Sequence, residues 1–395
     1  MNIRERIREL TEEAVGWRRD IHQHPELGYE EKRTSQLVTD ILTASNIIAH
    51  RGLAKTGVVG VLKCGSSPRS IALRADMDAL ALPEANSFSY RSVHENKMHA
   101  CGHDGHTAIL LGAARYLAGS RNFDGTVYFI FQPAEEGGGG AEAMIKDGLF
   151  ERFPCDVIYG MHNLPGLPVG HFAMCTGPMM ASFDSFDITI EGVGGHAAMP
   201  HLTIDPVVVA ANLITVLPTI IARNINPTHA AVLSISHIKS GEPTYNVIPD
   251  KVVIKGCVRT LQPDTRSLVK HRVKTLVEGM CVTFGAKCRL DYNPLYPVLI
   301  NSSEEIEHAS RAAIGVVGKE AVDTDCSPMM GSEDFAAMLQ QKPGAYLFIG
   351  NGDGEGNCMI HNPGYDFNDE IIPIGIEYWC RLVEDCLNKS IEKRC

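Results

Sequence analysis

Apolar and polar positions alternate along this chain with two different periods, and the period changes twice. From Ile3 to Ile21 the apolar residues Ile3, Ile7, Leu10, Ala14 and Ile21 recur at helical spacing, and Pro25 ends the segment. Residues 57–63 (GVVGVLK), 70–75 (SIALRA), 125–131 (GTVYFIF) and 156–161 (DVIYGM) are short apolar runs of strand type, the last ending at His162. Helical patterns lie between them at 106–118, with Ala108, Gly112, Ala113 and Ala114 along one side, and from 141. Buried strands alternating with helices predict an α/β unit with a mainly parallel sheet. Such sheets place their sites beyond the carboxyl ends of the strands, where Asp76, Glu135 and His162 fall.

Near residue 182 the pattern becomes strict alternation. Residues 184–190 (DSFDITI) read as a half-exposed strand. A helix is predicted over 205–222 with Pro206 in its first turn, then strands at 229–238 and 250–259, a helix at 264–283 and a strand at 286–292. The order β-α-β-β-α-β is that of a ferredoxin-like α+β unit. From Pro297 the helix and strand alternation resumes. The chain is therefore expected to form one α/β domain from residues 1–181 and 297–395, interrupted by an inserted α+β domain at 182–296.

Composition narrows the function classes. With 395 residues, 44% hydrophobic and 21% charged, the chain is long enough for two or three globular domains. Its net charge of −11 has no basic stripe, which argues against a nucleic-acid partner. The first residues, MNIRERIREL, lack the apolar core of a secretory signal, and no run of about 18 apolar residues exists to span a membrane. A cytoplasmic location is expected. The twelve cysteines are scattered, without a C-x-x-C pair, and read as reduced thiols.

One thiol has company. Residues 99–106 read His-Ala-Cys-Gly-His-Asp-Gly-His, with Cys101, His99, His103 and His106 in eight positions. Thiolate and imidazole crowded in this way can hold a transition metal; the alternative is a glycine-rich turn with solvated histidines. Glu135-Glu136, His162 and His361 could add ligands. Adjacent carboxylates repel, so a strand-to-helix turn gains little from both. If one binds metal, the other can act as general base on a metal-activated water, whose pKa falls toward ~7. The alternative is a solvated helix start. The run Gly137–Gly140 lacks the Lys-Ser/Thr ending of a phosphate loop and reads as close backbone approach or flexibility.

The segments WRRDIHQHPELGYEE, LRADMDALALPE, HACGHDGHTA, FQPAEEGGGGA, YGMHNLP, GGHAAMPH, YNVIPD, GSEDF and HNPGYDFND occur in this order. In these the chain resembles the M20 metallopeptidase family, in particular its amidohydrolase branch of hippurate hydrolases, aminoacylase-like enzymes and plant auxin-conjugate hydrolases. The resemblance runs from Trp17 to Asp369. It implies two divalent metal ions per subunit (Mn, Zn, Co or Ni), with Cys101 bridging both where other branches use aspartate. Glu136 and His361 would complete one metal, His103 and His162 the other, with Glu135 as general base. Where other branches carry a histidine ligand, this chain has Asp76 of Asp76-Met77-Asp78; Asp78 would orient the ligands and the role of Asp76 stays open. The resemblance also implies a lid and homodimerisation domain in the insert. There His196 would be the oxyanion donor reaching across the dimer and Asn246 a substrate contact. Arg259 is a candidate for the substrate carboxylate, with a surface salt bridge as the alternative. His22, His24 and His201 read as structural, and His99 and His106 as support to the ligands.

The implied reaction is hydrolysis of small N-acyl amino acids to a carboxylic acid and a free amino acid. Carboxypeptidase, dipeptidase or N-acetyl-diaminopimelate deacetylase activity on the same fold are the variants, and a non-enzymatic metal or thiol binding protein the rival. A zinc deaminase would need P-C-x-x-C and a serine hydrolase G-x-S-x-G, and the chain has neither.

Overall fold

A computed structural model describes residues 3–352 and 358–389 of the chain. Among these, residues up to 177, 300–327 and from 334 onward form one compact unit, and 178–299 with 328–333 form a second.

The larger unit is built on an eight-stranded sheet. Its N-terminal part comprises helices α1 (Ile3–Gln23) and α2 (Lys32–Ala44), strands β1 (Ile48–Leu53), β2 (Gly57–Cys64) and β3 (Ser70–Asp76), helix α3 (His103–Ser120), strand β4 (Gly125–Gln132), helices α4 (Gly140–Lys146) and α5 (Leu149–Arg152), and strand β5 (Val157–Pro165). The sheet order is β1-β2-β4-β3-β5, followed by Gly344–Gly352, Phe172–Ala173 and Val322–Asp323. The four central strands β4, β3, β5 and Gly344–Gly352 run parallel, so their carboxyl ends share one edge. Every residue of β3 is buried, as a strand covered on both faces requires. The sequence places His162 at the end of its strand, but β5 continues to Pro165, with His162 paired to Phe348 inside the ladder.

Helix α3 begins at His103, earlier than the apolar pattern indicates, because Gly102 adopts φ +93 and turns the chain. A side chain at Gly102 would also run into the Asn163 amide and the Tyr365 hydroxyl. The small positions Gly105 and Gly112 admit Phe367 and Ile376 against the helix. Leu110, Leu111 and Leu117 of α3 belong to the core shared with the C-terminal helix Ile372–Cys386.

The second unit has a four-stranded antiparallel sheet in the order Ala231–Ser240, Lys251–Thr260, Phe183–Glu191, Lys287–Tyr296. This is the strand order of a ferredoxin-like unit. The helices Pro206–Val216 and Pro263–Thr283 supply Val209, Leu213, Val269, Val273 and Val277 to a core with Phe186, Ile188, Ile190 and Ile254. The Asp205 side chain caps the first of these by accepting from Val207 N at 2.8 Å. The single helix predicted over 205–222 is two, since Pro218 separates Pro206–Val216 from Thr219–Asn224. No helix among the described residues is long and apolar enough to cross a membrane.

A buried ion pair ties α1 to the start of α3. Arg18 Nε donates to Asp104 Oδ2 at 2.9 Å, and His22 Nδ1 lies 2.8 Å from the same oxygen. Burial alone would raise the Asp104 pKa, but Arg18 and His22 hold it far below the usual carboxylate range. A depressed folded-state pKa gives stability that is complete above the unfolded value of ~4 and drains away as pH falls below it. Asp104→Asn should therefore destabilise the larger unit by about 3–5 kcal/mol at neutral pH. Calorimetric unfolding should show the gap to wild type closing as pH drops below ~4.

Candidate active site

Two imidazoles are held with one nitrogen turned inward. His103 Nδ1 donates to the Asp78 carbonyl at 2.9 Å, and its buried Nε2 has no hydrogen-bond partner. His162 Nδ1 donates to the Asn163 carbonyl at 2.7 Å, and its Nε2 lies 3.3 Å from Cys101 Sγ. Fixing Nδ1 on a backbone carbonyl orients Nε2 as metal-binding histidines are oriented. On the opposite side Glu136 Oε1 sits 3.1 Å from His361 Nε2. The His361 backbone N–H donates to the Ala100 carbonyl at 2.7 Å while its φ is +66, so a strained residue is pinned beside the cysteine loop.

The potential ligand atoms of Cys101, His103 and His162 all lie within 4.8 Å of one another, and so do those of Cys101, Glu136 and His361. The thiol belongs to both groups. His103, Glu135 and Glu136 form a further such group. The five residues read from sequence as ligands are thus one cluster, with Glu135 beside it.

These residues fit cations. Burial pushes the Cys101 thiol well up, and Glu136, Glu135 and Asp76 push it further. Burial disfavours charge on His103, yet Asp76 and Asp78 outweigh it and raise the imidazole to about 10. The carboxylates therefore draw a positive charge to the position of His103 Nε2, and a metal ion there would answer the same field. His162 is shifted the other way, well below its ordinary value, by burial and then by His106, which leaves Nε2 a lone-pair donor. Thiolate, imidazole and carboxylate together suit borderline transition metals.

The two glutamates sit on a turn that follows β4. Asp78 fixes it with one carboxylate: Glu135 N donates to Oδ1 at 3.0 Å and Glu136 N to Oδ2 at 2.9 Å. Behind the turn, Arg74 donates to Gln132 Oε1 at 2.8 Å, to Asp76 Oδ2 at 2.7 Å and to Asp334 Oδ1 at 3.2 Å. Asp334 in turn accepts from Gln132 Nε2 at 2.7 Å and from Ala141 N at 2.9 Å. Asp76 also accepts from His106 Nδ1 at 2.6 Å, and Asn163 N donates to His106 Nε2 at 3.1 Å. Burial would raise the Asp76 pKa, but His103, Arg74 and His106 hold it well below the usual range, so it is an anionic bracket. Arg74, Gln132, Asn163, Asp334 and Tyr365, whose hydroxyl accepts from Asn163 Nδ2 at 2.5 Å, were not singled out from the sequence. Asp334 lies in GSEDF and Arg74 directly precedes Ala75-Asp76, segments whose local pattern carries no sign of their contacts.

His99 is buried, with both ring nitrogens lacking hydrogen-bond partners, and burial lowers its pKa to about 4. Cys326, which the sequence shows without a partner, shares a side-chain hydrogen bond with Cys175.

Within the second unit, His196 and Asn246 come together on a short antiparallel ribbon. His196 pairs with Val247, and Ala197 N donates to the Asn246 carbonyl at 3.0 Å. His196 is exposed, and its Nδ1 accepts from Ala198 N at 3.1 Å, which leaves Nε2–H as the donor. Arg259 donates to the Met330 carbonyl at 3.0 Å and to Ser332 Oγ at 3.3 Å, with its guanidinium over the Phe183 ring at 4.7 Å. It anchors the 328–333 segment.

Comparison with known proteins agrees with this geometry. The model of peptidase family M20/M25/M40 matches residues 72–385. A hippurate hydrolase of Campylobacter jejuni is 42% identical over 382 residues, covering 97% of this chain and 98% of that protein. An N-acetyl-L-cysteine deacetylase of Bacillus subtilis is 39% identical over 92% of this chain and 85% of its own length. A solved structure of a dinuclear metal-binding M20 peptidase from Bacillus subtilis superposes with a TM-score of 0.83 at 33% identity, covering 96% of this chain and 99% of that one. With its mixed α/β architecture and thiol-centred cluster, the chain belongs to peptidase family M20/M25/M40 and is an amidohydrolase.

Proposed function

We propose that this enzyme hydrolyses the amide bond of small N-acyl amino acids, releasing a carboxylic acid and a free amino acid. The observation that carries the reading is the pairing of Glu135 and Glu136 on one turn clamped by Asp78, with the second against His361 and the first within the same group of potential ligand atoms as His103. The similarity to a hippurate hydrolase over nearly the full length supports the substrate class.

Cys101 would be shared by two divalent ions, with His103 and His162 on one and Glu136 and His361 on the other. When bound, they would supply Lewis-acid activation of water and of the amide carbonyl. Glu135 takes a proton from the attacking water and returns it to the leaving amide nitrogen. Asp78 keeps Glu135 in place through its backbone amide. His196, whose Nε2–H is available, stabilises the oxyanion, and Asn246 on the same ribbon contacts the substrate. Arg259 is the reserve candidate for the substrate carboxylate, since its guanidinium is engaged by Met330 and Ser332. Thiolate softness favours zinc, cobalt or nickel, and manganese completes the set to be tried.

The enzyme works as a homodimer through its second unit, with His196 serving the partner subunit's site. In favour of this, the strand Ala231–Ser240 is a sheet edge, and Val232, Ile238, Val207 and Val208 are exposed. The cytoplasm is the compartment proposed, in keeping with the free cysteines of the described residues.

Chelation should abolish hydrolysis of N-benzoylglycine, and adding back Mn, Co, Ni or Zn should restore it; full activity of the metal-free protein would refute the reading. Glu135→Gln should keep its metal and lose about 10²–10⁴-fold in kcat, as measured by steady-state kinetics beside elemental analysis. Elemental analysis should also show Cys101→Ser depleted of both metals and His103→Ala mainly of one.

A further inference from the structure

The turn bearing Glu135 leaves β4 through Ala134, whose φ of +54 is unfavourable for a residue with a side chain. Such a conformation persists only where the surroundings impose it. Here they are residues 28–31, from a motif that no step of the chemistry uses. Gly28 packs so closely that a Cβ on it would lie 3.0 Å from Ala134 Cβ. Tyr29, itself at φ +66, donates its hydroxyl to the Gly138 carbonyl at 2.7 Å. Glu31 is completely buried; Oε1 accepts from Ala134 N at 2.9 Å and Oε2 from Thr56 Oγ1 at 2.6 Å. A buried carboxyl is costly, and an apolar side chain would fill the space at less expense. The expense is explained by what its oxygens hold.

We propose that Glu31 is a positioning residue for Glu135. By receiving the Ala134 N–H it fixes the left-handed step immediately before the base. Asp78 holds the amides of 135 and 136, and Tyr29 holds the carbonyl of 138. Backbone groups on both sides of the base are therefore fixed, so its side chain starts from one defined backbone position. The inference rests on Glu135 being the general base.

The test compares wild type, Glu135→Gln, Glu31→Ala, Glu31→Gln, Thr56→Val and Tyr29→Phe, all metal-loaded, for metal content, unfolding temperature, kcat and KM on N-benzoylglycine. Glu31→Ala should keep its metal and a KM within about threefold, while kcat falls up to about 100-fold, the scale of a small misplacement of a reacting group. Glu31→Gln, whose Oε1 can still accept from Ala134 N, should recover most of kcat. Thr56→Val should lower the unfolding temperature without the loss of kcat. A folded Glu31→Ala with wild-type kcat overturns the inference, as does an equal kcat loss in Glu31→Gln, or in Thr56→Val. Should Glu31→Ala not fold, Tyr29→Phe decides: about tenfold lower kcat at unchanged KM and metal content supports it, and unchanged kcat overturns it. If wild type hydrolyses nothing, or Glu135→Gln matches wild type, the hydrolase reading falls and this inference with it. A fast Glu31→Ala beside a slow Glu135→Gln overturns this inference alone.

Discussion

Asp78 gathers three hydrogen-bond donors from separate parts of the site onto a single residue. Its carboxylate receives the backbone amides of Glu135 and Glu136, and its carbonyl receives His103 Nδ1–H. The residue lies just past the end of β3, where the parallel sheet delivers it beside the turn that follows β4. Each carboxylate oxygen accepts from a backbone donor, and Oδ1 also lies 3.3 Å from His103 Nδ1, so one residue sets the direction of the paired glutamates and of the imidazole. A group at this position sets the geometry of His103 and of the paired glutamates together.

The charge balance explains why this arrangement needs help. Asp76, Asp78 and Glu135 are buried near one another, with Glu136 partly buried beside them. Arg74 offsets some of that charge, bridging Asp76 and Asp334 from behind. The remainder falls on Cys101 and His103, where it adds to burial in lifting the thiol and outweighs burial in raising the imidazole. Two divalent ions among these donors would turn a costly concentration of like charge into the electrostatic basis of binding.

The elements were legible where a short stretch decides them. Apolar runs mark the central strands, and glycine beside cysteine and histidine marks the loop of Cys101 and His103, because donor spacing within a loop is itself a local property. The contacts that hold the site were not legible. Arg74 meets Asp334, and Glu31 meets Ala134, across 260 and 103 positions of chain. Nothing in local periodicity reports such pairs; they exist only once the sheet order is set. Similar reasons hide His162, which the run DVIYGM places at a strand end although the ladder continues to Pro165. The hydrogen bond between Cys175 and Cys326 belongs to the same class of contact.

The glycines after the paired glutamates show how close approach and flexibility can be told apart. Gly137 and Gly139 adopt φ of +79 and +65, which glycine alone takes without strain. Gly138 and Gly140 are required for a different reason: a Cβ on Gly138 would lie 2.7 Å from Ala134 Cβ, and one on Gly140 would overlap the Pro133 carbonyl oxygen. The chain doubles back onto its own entry, and Gly140 N donates to the Ala134 carbonyl at 3.0 Å. Four glycines in a row thus build a compact loop closed on Ala134, the residue that Glu31 also grips from the other side. Residues with no side chain give the turn that carries Glu135 a rigid mount, because only they let backbone serve as its packing partner.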